Sequence, residues 1–293
     1  MNAPVGSDTS PKNPMQRLVH FAPVRAVLAI FLTALAGGLT LTYLGEMTHP
    51  SGSEMWPEFG AVVAVLAAYW LYVRVVERRA ALEISRKGAI AELATGALVG
   101  VGLVVCVVGL VNVLGSYRVV GANPWTMSIL RPLAMMTFVG VLEEVISRGI
   151  IFRITEASLG SWAGLGISSA LFGLAHLPGD GASGLAIAVT VVAGVMFAAS
   201  YMVTRRLWLA IGIHVSWNYT LGSIFSVAVS GRDAQGLLIG QTSGPELLTG
   251  GAYGFEASVV ALIVLGAVAA FFLRVAFVRG HFLSFPVKQE IRK

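Results

Sequence analysis

The sequence predicts an all-α polytopic membrane protein: a bundle of about eight transmembrane helices with the N-terminus and C-terminus cytoplasmic. Three observations predict it. Of 293 residues, 56% are hydrophobic and only 12% charged, with mean hydropathy +0.79, whereas soluble domains carry roughly 25% charge. The apolar residues fall in long continuous runs, the signature of spanning helices; a membrane barrel would show short alternating segments. With eight crossings and the N-terminus inside, Arg118, Arg131 and Arg232 are left in outer loops and the other 17 of 20 Lys and Arg fall inside. That asymmetry is what the positive-inside rule demands, and losing one span would scramble it.

Taken in order, residues 1–25 read as a disordered cytoplasmic tail, polar and Pro/Ser-rich over its first 16 residues. Residues 26–280 form the transmembrane domain, and 281–293 a basic cytoplasmic tail. The first runs are Ala26–Leu44 and Phe59–Val73. The charged stretch Arg74–Glu92 carries interleaved apolar residues and is expected to form an interfacial amphipathic turn. Run three, Leu93–Leu114, has Gly96 and Gly100 at a spacing that signals helix packing. A polar connection at Gly115–Asn123 leads to run four, Pro132–Phe152. Runs five to seven are Trp162–Leu177, Gly184–Val203 and Leu207–Val229. A Gly-rich loop of about 231–254 precedes run eight, Phe255–Leu273. The protein is expected in the bacterial inner membrane, as a multi-pass protein.

The net charge of +5 is explained by membrane orientation, so nucleic acid is not an expected partner. The single cysteine, Cys106, excludes an intramolecular disulfide and is expected as a small buried core residue. His20, His49 and His281 are expected in solvent. Ser147, Ser168, Ser169 and Ser216 lack the surroundings of a serine nucleophile and read as packing residues.

The polar residues inside the runs carry the chemistry. A charge at a bilayer centre costs at least ~2.5–3.5 kcal/mol, so Glu143, Glu144 and Arg148 in run four need a reason. Consecutive helical residues point about 100° apart, so the two glutamates cannot share one task. Glu144 and Arg148, at i,i+4, are expected to pair and support the helix. Glu143 is then the candidate that does chemistry. His176 closes run five, while His214 and Asn218 share one face of run seven. Counted from the cytoplasmic ends at ~1.5 Å per residue, the four lie ~12–21 Å deep. A buried carboxylate suits general-base work on water, and imidazoles and an amide can orient that water or donate to an oxyanion. The same Glu143, His176 and His214 could instead hold Zn²⁺ with an open water position. The residues leave both arrangements open, and either activates water inside the membrane, for which amide hydrolysis is the natural reaction.

The motifs Glu143-Glu144-x-x-x-Arg148, Phe172-x-x-x-His176 and His214-x-x-x-Asn218, in this order on separate spans, resemble those of the CAAX protease and bacteriocin-processing family, over about residues 130–225. The resemblance implies an eight-helix intramembrane endopeptidase acting on a peptide or membrane-protein substrate within the lipid bilayer. It implies Glu143 as the water-activating glutamate, His176 as the second-motif histidine of the catalytic set, and His214 and Asn218 holding water or oxyanion. Glu144 and Arg148 fall at supporting positions. It does not choose between the metal and the metal-free route, and it gives neither the physiological substrate nor the oligomeric state. Two other classes compete: a proton- or cation-coupled transporter or channel with Glu143 and His176 as relay, and a non-catalytic membrane scaffold.

Overall fold

The computed structural model describes residues 21–48 and 54–285. Residues 1–20 of the tail expected over 1–25, His49 and residues 286–293 of the basic tail lie outside the described residues, while residues 22–25, expected in that tail, form the first turn of the helix Ala22–Glu46. Among those described, five helices are long and apolar enough to cross a membrane: α1 (Ala22–Glu46), α2 (Trp56–Val75), α3 (Ala89–Val113), α7 (Gly184–Thr204) and α10 (Val259–Val278). Between them lie α4 (Arg131–Glu144), α5 (Arg153–Leu159), the apolar 15-residue α6 (Ser161–Ala175), α8 (Trp208–Tyr219) and the single turn α9 (Glu246–Thr249).

Local sequence explains the helix boundaries. Pro23 and Pro57 open α1 and α2 at positions where the missing N–H costs nothing. Ser183 and Ser258 cap α7 and α10, each hydroxyl accepting from the N–H three residues on. Expected as one α-helical run, residues 132–152 instead change period part-way. α4 passes into a π-helix at Val145–Phe152 and then into α5 without a break. Likewise α8 continues as a π-helix over Thr220–Ile224. Wide turns of this kind are frequent at functional sites. The first begins directly after Glu144 and the second two residues after Asn218, both singled out above.

The outer faces are apolar and exposed, with Leu98 at 76%, Ile263 at 66% and Val113 at 82%. So large an uncovered apolar surface is the face a lipid-embedded protein presents. Cys106 sits on that face of α3, not in the core as expected, because buried Val104 and Val107 take the inward positions on either side of it. On the inward face, Gly96 and Gly100 lie against α8. A Cβ on Gly96 would stand 2.4 Å from the Leu209 carbonyl oxygen, and one on Gly212 2.5 Å from that of Leu93. Backbones so close pack by direct contact, as small residues permit in membranes.

Two further expectations are corrected. The fold is mostly helical as expected, but two connecting segments are not irregular throughout. The polar connection and the Gly-rich loop pair as an antiparallel two-stranded sheet, β1 (Tyr117–Ala122) with β2 (Leu238–Thr242), Tyr117 opposite Thr242 and Ala122 opposite Leu238. Val119, Val120 and Ile239 supply β-branched residues, and Gly240 leaves room for the Tyr117 ring, whose hydroxyl donates to the Phe225 carbonyl at 2.7 Å. His281 is half-buried, not solvated: its Nδ1 donates to the Met202 carbonyl at 2.7 Å, while Arg205 donates to the His281 carbonyl.

The charged stretch after α2 forms one 3₁₀ turn, Leu82–Ile84, and its carboxylates Glu77 and Glu83 face the protein while Arg78, Arg86 and Lys87 are exposed. Glu77 is paired with Arg25, with Arg79 at 2.7 Å and with Arg153 at 2.9 Å; Arg79 also reaches Glu83 at 2.8 Å. Leu82 and Ile90 point outward. The paired charges of the segment tie α1, α2 and α5 together.

Candidate active site

The site is assembled from α4, α6, α7 and α8. Glu143 and Glu144 end α4, and their divergence places them in different environments. The Glu144 side chain is 0% exposed, whereas that of Glu143 is 31% exposed and lines an open cavity of about 690 Å³. Glu144 Oε1 accepts from Arg148 at 2.9 Å and from His214 Nδ1 at 2.9 Å. The fully buried Arg148 donates also to the Gly194 carbonyl at 2.9 Å and lies over the rings of Phe172 and Phe197, 4.5 and 5.1 Å from their centroids. Gly194 lets α7 approach α6 closely enough for this, since a Cβ there would stand 3.0 Å from the Ser169 Cα. Glu144 and Arg148 thus form the ion pair their spacing implies. Beyond that spacing, the same carboxylate orients an imidazole on a different helix.

The two histidines are held through Nδ1, and differently. His176, at the C-terminal end of α6, donates from Nδ1 to the Phe172 carbonyl at 2.8 Å. A carbonyl only accepts, so neutral His176 keeps its lone pair on Nε2. The His214 ring is stacked on Phe197, centroids 4.7 Å apart at 21°, with its Nδ1 on a carboxylate. Both Nε2 atoms face Glu143: Oε2 lies 4.0 Å from that of His176 and 3.8 Å from that of His214. Glu143 Oε2 is buried and has no hydrogen-bond partner. Asn218, one turn beyond His214, is buried and lines the same cavity. The four residues nominated for chemistry therefore meet at one place.

Three donors of this type raise the question of zinc. Tetrahedral ligands at ~2.0 Å from a metal stand ~3.3 Å from one another. Separations of 3.8 and 4.0 Å approach the straight-line limit of two such bonds. Among the described residues, no group of three His, Cys, Asp or Glu side chains is placed to hold a metal ion. The arrangement as it stands does not fit a zinc site.

The family model described as type II CAAX prenyl endopeptidase Rce1-like matches residues 124–220. This stretch carries an Rce1-like domain. It covers about a third of the chain and contains Glu143, Glu144, Arg148, His176, His214 and Asn218. At the family level, the Rce1-like domain supports a protease in a chain with five membrane-length helices. No curated protein and no solved structure matches the chain.

Residues beyond the Rce1-like domain also reach the site, and sequence reasoning missed them. An inner pocket of about 40 Å³, bordered by His176, His214 and Asn218, is completed by Ser230 and Glu256. That is room for a few waters. Glu256 accepts from Trp217 Nε1 at 2.7 Å, from the Ser230 N–H at 2.5 Å and from the Ser230 hydroxyl at 3.1 Å. The available signal was a carboxylate at the second position of an apolar run.

Proposed function

We propose that the protein is an intramembrane endopeptidase that hydrolyses peptide bonds with water activated by Glu143. The observation that carries this reading is the buried, unpartnered Glu143 Oε2 facing two imidazole Nε2 atoms across 3.8 and 4.0 Å, at the wall of a cavity large enough for a peptide segment. Such gaps are too long for direct hydrogen bonds, so the Oε2 acceptor stands unmet between two ring nitrogens.

Water held between Glu143 Oε2 and the His176 Nε2 lone pair loses a proton to Glu143 as its oxygen attacks the scissile carbonyl carbon. The carbonyl electron pair moves onto oxygen, where the Asn218 amide and His214, acting as an imidazolium with one N–H on Glu144 and the other on Nε2, supply donors. Glu143 then returns the proton to the leaving nitrogen as the C–N bond breaks. Glu144 holds the His214 ring, and Phe172 holds the His176 tautomer. In this reading the chain crosses the membrane eight times with both termini cytoplasmic: the continuous helices 131–159 and 208–224 and the apolar α6 supply the crossings beyond the five long helices.

The test is cleavage of peptides and of lipid-tailed peptides by purified protein in proteoliposomes, for wild type, Glu143→Gln, His176→Ala and His214→Ala. Glu143→Gln is expected to lose at least about 100-fold in kcat. Full activity in that variant would overturn the mechanism. Glu143-dependent proton flux without cleavage would favour a transporter. Metal content of the purified protein, with activity in chelator, decides whether zinc takes part.

A further inference from the structure

Glu256 stands outside the Rce1-like domain, yet its carboxylate touches both the helix that carries His214 and the loop that abuts the turn after His176. One oxygen holds Trp217, which directly precedes Asn218 and lies three residues from His214 on α8. The other holds Ser230, in the loop between α8 and β2. Ser230 has φ 50°, a left-handed conformation uncommon without glycine, so its backbone is held there by its surroundings. Its N–H has Glu256 as partner, and the next residue's N–H, on Gly231, donates to the Tyr253 carbonyl at 3.1 Å.

On its other side, Ser230 abuts the turn that follows His176. A Cβ on Gly179 would stand 2.8 Å from the Ser230 carbonyl oxygen, and one on Gly231 2.2 Å from that of Asp180. The Gly179 N–H in turn donates to the His176 carbonyl at 3.1 Å. One chain of contacts therefore runs from His214 and Asn218 through Trp217 to Glu256, then through Ser230 and Gly179 to His176. α8 and the end of α6 belong to separate helices, and Glu256 ties the loop at 230 directly to α8, beside the loop's own Val229–Arg232 pairing and the bond from Gly231 to Tyr253.

We propose that Glu256 is a positioning residue that fixes the spacing between the His214–Asn218 segment and His176 across the catalytic cavity. This rests on the endopeptidase reading for its kinetic arm, and on geometry alone for its second arm. Misplacing a catalytic group by about 1 Å costs on the order of 100-fold in rate. Glu256→Ala is therefore expected to lower kcat about 10- to 100-fold while KM stays within about threefold. Glu256→Gln keeps an acceptor for Trp217 but not for both partners, and is expected to recover part of that loss. Trp217→Phe removes one arm, so adding it to Glu256→Ala should cost little more.

The experiment measures peptide cleavage and amide hydrogen exchange on the same full-length proteins in micelles. Exchange at residues 230–232 is expected to rise at least about tenfold in Glu256→Ala while the centre of α8 keeps its protection. Unchanged exchange there overturns the clamp whatever the activity. Unchanged kcat, or a fall in kcat that only follows loss of folded protein and is not recovered by Glu256→Gln, overturns the positioning role. A wild type that cleaves nothing, combined with raised exchange in Glu256→Ala, overturns the endopeptidase reading and leaves the clamp standing.

Discussion

His214 Nδ1 and Arg148 reach the same oxygen of Glu144, each at 2.9 Å. The carboxylate is shared between a charge that must be neutralised inside the bundle and a ring that must be aimed. Its i,i+4 pairing with Arg148 could be read along the chain. Its bond to His214, 70 residues away, depends on how α4 meets α8.

Glu144→Gln tests the sharing. The amide keeps one acceptor and loses the charge, leaving the fully buried Arg148 without its counter-ion. Removing one partner of a buried pair costs about 3–5 kcal/mol. The thermal midpoint in micelles should drop by several degrees, and the folded fraction should lose kcat, since His214 is no longer held by a carboxylate. A variant with wild-type kcat and a lowered midpoint would make Glu144 purely structural.

Phe197 backs both members of that group, stacked on His214 and lying under the Arg148 guanidinium. Phe197→Ala removes a buried ring and both contacts, with a stability loss of about 3–5 kcal/mol. Phe197→Leu keeps most of the volume and loses the ring faces. Its expected signature is a modest change in midpoint with a clear fall in kcat, measured on the same preparation.

The α3–α8 seam predicts a contrast between glycines on one helix. Gly96→Ala puts a Cβ 2.4 Å from the Leu209 carbonyl oxygen, so α8 must shift, and with it His214 and Asn218. Gly102, also on α3, has nothing within 4 Å, and Gly102→Ala should be neutral or stabilising by up to about 1 kcal/mol. Expression and cleavage rate are expected to fall for the first and hold for the second.

The contrast also marks what was legible in the sequence. Periodicity and spacing along one helix were enough for Gly96 and Gly100 as packing positions, for Glu144 with Arg148, and for Glu143 as the residue left over. Hydropathy located the five long helices because lipid-facing runs must be apolar. Three features were hidden for physical reasons. The β1–β2 pairing joins segments more than 110 residues apart, both short and rich in Gly or polar residues, which read as loop. The π-helices alter hydrogen-bond period without altering composition. Glu256 acts through Ser230 and Trp217, partners that no spacing rule links to it.

Acid should weaken the protein through Glu77, which lies outside the membrane-spanning helices. Burial pushes its carboxyl up, but Arg153, Arg25 and Arg79 outweigh that and hold it at about 2, against an ordinary 4.5. The native state therefore resists protonation while the unfolded chain takes up a proton as pH falls through 4.5. Between these values the unfolded state binds more protons, so stability falls with pH. The contribution is complete above about pH 5, declines below it and is gone near pH 2. Its ceiling is about 3 kcal/mol, reduced by solvent around the partly exposed Arg25 and Arg79. Thermal midpoints measured in micelles from pH 6 to pH 3 should fall steadily in wild type. Glu77→Gln should begin lower at pH 6, because it has already lost the pairing, and should fall less steeply. Equal slopes in the two proteins would assign the acid sensitivity to other carboxylates.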